Sequence, residues 1–235
     1  MKKILFSLFT IISFFSYAQE TISDKNAQMR SVPSFSAIKV SGAIDVYLSQ
    51  GSTDAVAVSA SEDRFRDRIK TEVVDGVLKI WYDGDRLSLG EKKKLKAYVS
   101  FKDIRSLDAS GASEFRIQGT LSVNSLNVVL SGASDVTGNV RISELTINAS
   151  GASDVKLTGS VKNISIDVSG ASDLKGYELT VDNCKAKASG ASDIMLTVNS
   201  EISANATGAS SVFYKGQAVV KEVHSHGSSS IAKKG

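Results

Sequence analysis

Little in this chain could staple it, kink it or anchor it. Its 235 residues include one cysteine, one proline, one tryptophan and two histidines. A lone Cys184 excludes an internal disulfide framework. Any stable fold must therefore rest on packing, and 42% hydrophobic residues in a chain of this length can supply a core. With 7% aromatic residues, few rings are available to stack against sugars. Charge is close to balanced, 28 Lys and Arg against 25 Asp and Glu, so nothing argues for a nucleic-acid partner. No apolar run is long enough for a spanning helix, and no transmembrane segment is expected in the mature chain.

What is present begins with a leader. Lys2 and Lys3 precede an apolar stretch from Ile4 to Phe15, and Ser16-Tyr17-Ala18 offers small residues where a signal peptidase reads. Residues 1–18 are read as a signal peptide and the mature chain as starting near Gln19. Loss of Lys2 and Lys3 leaves 26 basic residues against 25 acidic, a net charge of +1. No cysteine follows Ala18, which argues against a lipid anchor. The expected location is exported: periplasmic, outer-membrane-associated or on the cell surface. Residues 19–33, ending at Pro33, are polar and read as a flexible tether.

A pentapeptide organises the rest. Ser-Gly-Ala-Ser-Asp stands at 131–135, 150–154, 169–173 and 189–193, with variants at 110–114 and 207–211 and a worn copy at 226–230. The central glycines 111, 132, 151, 170, 190, 208 and 227 are 18 to 21 residues apart, the signature of a stacked repeat. Around each corner the residues alternate. Leu145, Ile147 and Ala149 precede one corner, and Ser153, Val155 and Leu157 follow it. Period-2 alternation means strand with one face buried. One copy has too few inward residues to hold a core alone, so copies must stack, each strand bonding its counterparts at ~4.8 Å. That is a parallel β-helix of about seven rungs with two or three faces, the third being short and centred on Val140, Val161, Val181 and Val198. Leucine-rich repeats need a fixed asparagine and more leucines, and a propeller blade needs four strands.

The corner composition has a physical reading. Glycine permits a positive φ or a close backbone approach. By parity Ser113, Ser134, Ser153, Ser172, Ser192 and Ser210 point inward and need hydrogen-bond partners. Cys184 takes a place that other copies fill with Leu145, Ile164 and Ile202, and reads as a small buried hydrophobe. The first half is less regular. Ser41-Gly42-Ala43 looks like an early corner, and Ser61-Glu62-Asp63 can start a helix of a turn or two. Asp75-Gly76 between strands at 70–74 and 77–82 is a hairpin signal. The charged stretch 83–94 reads as a solvated loop, followed by a strand at 95–101. The expected domains are thus the leader 1–18, the tether 19–33, a hairpin-rich part 34–105 and regular repeats 106–235.

On its serial Ser-Gly-Ala-Ser corners, Ser41-Gly42-Ala43 and the Asp75-Gly76 hairpin, the chain resembles the auto-transporter adhesin family with a head GIN domain, known from exported proteins of Bacteroidota-type bacteria. The resemblance covers roughly Phe35 to the C-terminus. It implies a right-handed parallel β-helix, no established catalytic residues, an adhesion role and a trimeric assembly. It carries over no functional residue, because the shared motif is structural.

Acidic, histidine and apolar positions are the candidates for chemistry or contact. Glu114, Asp135, Asp154, Asp173 and Asp193 should form an exposed column. Capping of the corners is the preferred reading, with Ca²⁺ binding as the alternative; Arg116, Lys156 and Lys175 should relieve its repulsion. Adjacent acids would meet the carboxylate spacing of a glycosidase, yet no rung is enriched in chemistry and no long loop walls a cleft. His224 and His226 face one side of a terminal strand without a third ligand nearby, so no metal or cofactor site is assigned. Two residues past the corner acid the column turns apolar at Met195 and Phe213, an edge expected to pack against a C-terminal segment or a second subunit. The function expected is a non-enzymatic, adhesin-like scaffold that binds a glycan or protein ligand on polar faces; the alternative is a carbohydrate-active β-helix enzyme.

Overall fold

The computed structural model describes residues 24–84 and 92–235. The expected leader 1–18 and part of the 83–94 loop lie outside them. In chain order the strands are β1 (Gln28–Arg30), β2 (Ala37–Ser41), β3 (Asp45–Gln50) and β4 (Ala55–Ser59). A four-residue helix α1 (Asp63–Arg66) is followed by β5 (Ile69–Val74), β6 (Val77–Tyr82), β7 (Lys96–Phe101) and β8 (Ser106–Ser110). Five long strands come next: β9 (Glu114–Leu130), β10 (Asp135–Ala149), β11 (Asp154–Val168), β12 (Asp173–Ala188) and β13 (Asp193–Gly208). The chain closes with β14 (Ser211–Lys215), β15 (Val219–Gly227) and β16 (Ser230–Lys233). They form a β-solenoid of about seven turns, with a mixed sheet whose antiparallel members lie at the N-terminal end.

From β9 to β13 the ladders are parallel and sequential. Each of these strands bends as it goes, which gives the rung three short inward runs. One bend is the Ser-Gly-Ala-Ser corner. A second falls at positive-φ glycines such as Gly138 and Gly159. The third is a slip in parity: Ile142 and Leu145 are both buried, although three residues apart, and neither Ser143 nor Glu144 is. Inward files then run the length of the stack. One is Leu126, Leu145, Ile164, Cys184 and Ile202, so Cys184 stands where the repeat pattern puts a hydrophobe. It is 3% exposed, and burial pushes its thiol up to about 12.

The glycines do form a single file, and the reason is steric as well as conformational. At Gly151 φ is +84°, and an added Cβ would lie 2.4 Å from the Gly132 carbonyl oxygen. That oxygen accepts the Ala152 N–H at 2.7 Å. Successive corners are therefore pressed backbone to backbone, and any side chain at the glycine would break the stacking bond.

The first half holds the main departure from the sequence reading. It is not only hairpins that precede a stack; it contains two rungs of the stack, threaded out of chain order. β2 pairs in parallel with β6 on one side and β8 on the other, and β3 lies between β7 and β9. The rung made of β6 and β7 thus sits outside the one made of β2 and β3, though it comes later in the chain. Around it run the antiparallel strands: β5 against β6, β4 against β7, and β1 against β4. The β5–β6 hairpin turns at Asp75 and Gly76, both at positive φ (51° and 74°), as a two-residue primed turn requires.

The expected tether needs correction where it is described. Gln28–Arg30 pair with 56–58, and the Tyr98 hydroxyl donates to Asp24 Oδ2 at 2.7 Å. The polar composition of this segment reflects an outermost strand, half in water, not a loose linker.

Candidate functional site: the polar faces of the solenoid

The corner acids are fixed by backbone. The Asp154 N–H donates to Asp135 Oδ1 at 3.0 Å, and the Asp193 N–H to Asp173 Oδ1 at 3.3 Å. Each carboxylate thus caps the rung that follows it, the role expected of a short acid at a bend. Lys175 sits between two of them, with Nζ 3.1 Å from Asp173 and 3.3 Å from Asp154; the Asp173 bond is the first cause that raises its pKa. The column is longer than the sequence suggested. Asp45 pairs in register with Glu114, three residues after Gly42 as Glu114 is after Gly111. That spacing was available to find it, but the corner there reads Ser-Gly-Ala-Ile and hides the copy. Glu114 is raised above the ordinary carboxyl range by burial first, then by Asp45 and Asp135, while its ion pair with Arg116 opposes the shift. Among the described residues no three His, Cys, Asp or Glu side chains converge to hold a metal ion.

The six corner serines are buried, each at most 1% exposed. Ser153 Oγ donates to the Ser150 carbonyl at 3.0 Å, and Ser134 and Ser192 repeat the bond to Ser131 and Ser189. Ser172 Oγ in turn accepts the Ser153 N–H at 3.2 Å. These hydroxyls therefore tie each corner to itself and to its neighbour. They are held as structure and are not poised as nucleophiles.

On the exit face of the rungs, after the parity slip, two files of side chains point to solvent in unbroken register. One is Asn127, Thr146, Ser165, Lys185 and Ser203; the other is Val129, Asn148, Asp167, Lys187 and Asn205. Beside them, at the slip itself, the side chains part to leave a groove of about 430 Å³. Its wall is a ladder that the sequence reading missed: Asn163 Nδ2 donates to Glu144 Oε1 at 2.6 Å, and Asn183 Nδ2 to Asn163 Oδ1 at 2.8 Å. Glu201 is the next residue in that file. An interrupted alternation at the same place in successive copies was the available signal.

The remaining candidates fall elsewhere. His224 and His226 are exposed on β15, and His224 Nε2 lies 2.7 Å from Glu222 Oε1. Met195 and Phe213 are adjacent in one file and only half-exposed. Ala232 of β16 follows Phe213 in that file, and Lys234 Nζ lies 4.1 Å from the centre of its ring. Among the described residues the exposed large apolar side chains are instead Met29, Val219, Val220 and Val223. Among the described residues no helix is long and apolar enough to cross a membrane.

The serial corner motif and the solenoid it builds define a class: β-solenoid repeat proteins with regular polar faces. Residues 34–218 match the family described as "Putative auto-transporter adhesin, head GIN domain", and the chain belongs to that family. Its fold is shared with solved structures. A protein from Bacteroides fragilis described as a putative adhesin has a TM-score of 0.81 at 20% identity, over 88% of this chain and 96% of that one. A putative lipid binding protein from Parabacteroides distasonis has a TM-score of 0.69 at 19% identity, over 90% and 98%. A putative adhesin from Parabacteroides merdae has a TM-score of 0.61 at 18% identity, over 89% and 95%. The family and these structures carry the names of adhesins or binding proteins, not of enzymes. No curated protein matches the chain.

Proposed function

We propose that the protein is a non-catalytic binding scaffold of the cell envelope, exported by its leader, and that its exit face is the binding surface. One observation carries this reading. Two files, made of Asn, Thr, Ser, Asp and Lys except for Val129, repeat at the rung spacing of ~4.8 Å beside a groove with polar walls. A surface periodic in one direction suits an extended polar polymer, which can bond successive rungs and gain affinity by summing weak contacts. A glycan chain is the occupant that such hydroxyl, amide and ammonium groups fit best. Membership of an adhesin family supports the same role.

The test is a glycan array with the purified protein, run beside assays for reducing ends and unsaturated lyase products. Binding without turnover is expected, together with its loss in a variant carrying Asp167→Ala, Lys187→Ala and Asn183→Ala. Release of new chain ends would establish the carbohydrate-active alternative. Array binding that ignores the triple variant would move the site off this face.

A further inference from the structure

The last rung is covered over β14, where Ile231 of β16 packs on Val212, but not over β15. β15 pairs with β13 on one side only, and among the described residues its other edge has no strand. Every residue of β15 is exposed. Val220 stands above Ile202 and Val223 above Ala204, both buried members of inward files. These valines therefore face into the core, yet they are 47% and 39% exposed because nothing lies over them. A free strand edge with apolar residues along it is a template for another strand. The family match ends at residue 218, one residue before β15.

The strand itself says which partner fits. The ladder to β13 shifts between Ile202 and Ser203, where Val220 and Glu222 are the partners and Lys221 is the extra residue. This bulge keeps Val220 and Val223 on the same inward side, although three residues apart would otherwise place them on opposite faces. The segment Val220-Lys221-Glu222-Val223 is then self-complementary under antiparallel pairing. Centred between Lys221 and Glu222, each valine meets the other valine of the second strand, and each lysine meets a glutamate. Within one chain Lys221 reaches Glu201 at 3.0 Å and Glu222 reaches His224 at 2.7 Å. All of these are surface pairs that can exchange partners at little cost.

We infer that β15 is a homotypic docking edge: two copies of this chain join end to end, antiparallel through 219–224, about a two-fold axis between Lys221 and Glu222. Such an interface is isologous, so one patch serves both copies. It continues the sheet across the junction, covers the four valines and doubles the length of the polar exit face.

Sedimentation of the purified protein over a concentration series tests this. The native chain should pass from monomer to dimer. Lys221→Glu alone, or Glu222→Lys alone, puts like charges opposite each other twice and should weaken the dimer roughly tenfold or more. The double exchange Lys221→Glu with Glu222→Lys restores opposite charges and should recover it. Glu201→Gln, which removes only the bridge within the chain, should leave it unchanged, and all four variants should melt as the native protein does. A native chain that stays monomeric, which would leave the edge to some other partner, overturns the proposal. So does a dimer indifferent to the single exchanges, or one not rescued by the double.

Discussion

The two ends of this solenoid are finished differently, and the contrast shows what a stacked repeat needs. At the N-terminal end the chain folds back over its own rungs. Antiparallel β5 and β4 flank the β6–β7 rung, β1 adds a further strand, and α1 brings Phe65 into the core at 6% exposure. Large side chains such as Phe101 and Phe115 fill this part of the interior. Towards the other end two inward files shrink to alanine: Ala186 and Ala204 lead to the exposed Val223, and Ala188 and Ala206 lead to Ser225. One end is closed by irregular structure folded back from several segments of the chain. At the other end, among the described residues, the outer edge of β15 is unpaired and its valines are exposed.

Five substitutions, in three tests, would break or sharpen that contrast. The largest effect is expected from Phe65→Ala, which empties a site under the N-terminal cover and should cost about 3–5 kcal/mol in denaturant unfolding. Its counterpart Val223→Ala, at the open end, should change monomer stability by no more than about 0.5 kcal/mol. Equal costs would show that the two ends are finished alike.

Next comes the glycine file. Gly151→Ala adds positive-φ strain to a clash with backbone and should cost about 2–4 kcal/mol. Gly119 also has a positive φ (+70°), but nothing lies within 4 Å of its added Cβ, so Gly119→Ala should cost only about 1–2 kcal/mol. If both melted alike, the close approach of successive corners would not matter.

The smallest effect concerns pH, where the corner column meets the N-terminal rungs. Glu114 has a raised folded-state pKa, from burial and from Asp45 and Asp135. The native state therefore holds that proton more readily than the unfolded chain. Its stabilising contribution is present in acid and is lost as pH rises through the folded value. Glu114→Gln should accordingly melt roughly 1–2 °C above the native protein at neutral pH, and the gap should close in acid. A gap that widens in acid would mean that the Arg116 ion pair outweighs burial.

Much of this was legible in the residues. The Ser-Gly-Ala-Ser corners mark themselves because a short, obligatory motif recurs wherever backbones touch. Inward serines and the hydrophobic seat of Cys184 follow from parity alone, and Asp75-Gly76 announces its turn by chemistry. The acid at 45 was hidden by one changed letter, and the asparagine ladder by a slip that pattern counting steps over.

Periodic, local chemistry thus determined the strands, the corners and the fact of stacking, because each rung repeats the same backbone problem and answers it with the same side chains. Which rung lies beside which at the start was decided only in three dimensions. The β6–β7 rung carries no corner motif to order it, and its neighbours are chosen by fit to a core assembled from distant segments. The same holds for the bare edge of β15, since whether a valine is covered depends on what lies above it and on nothing in its own neighbourhood.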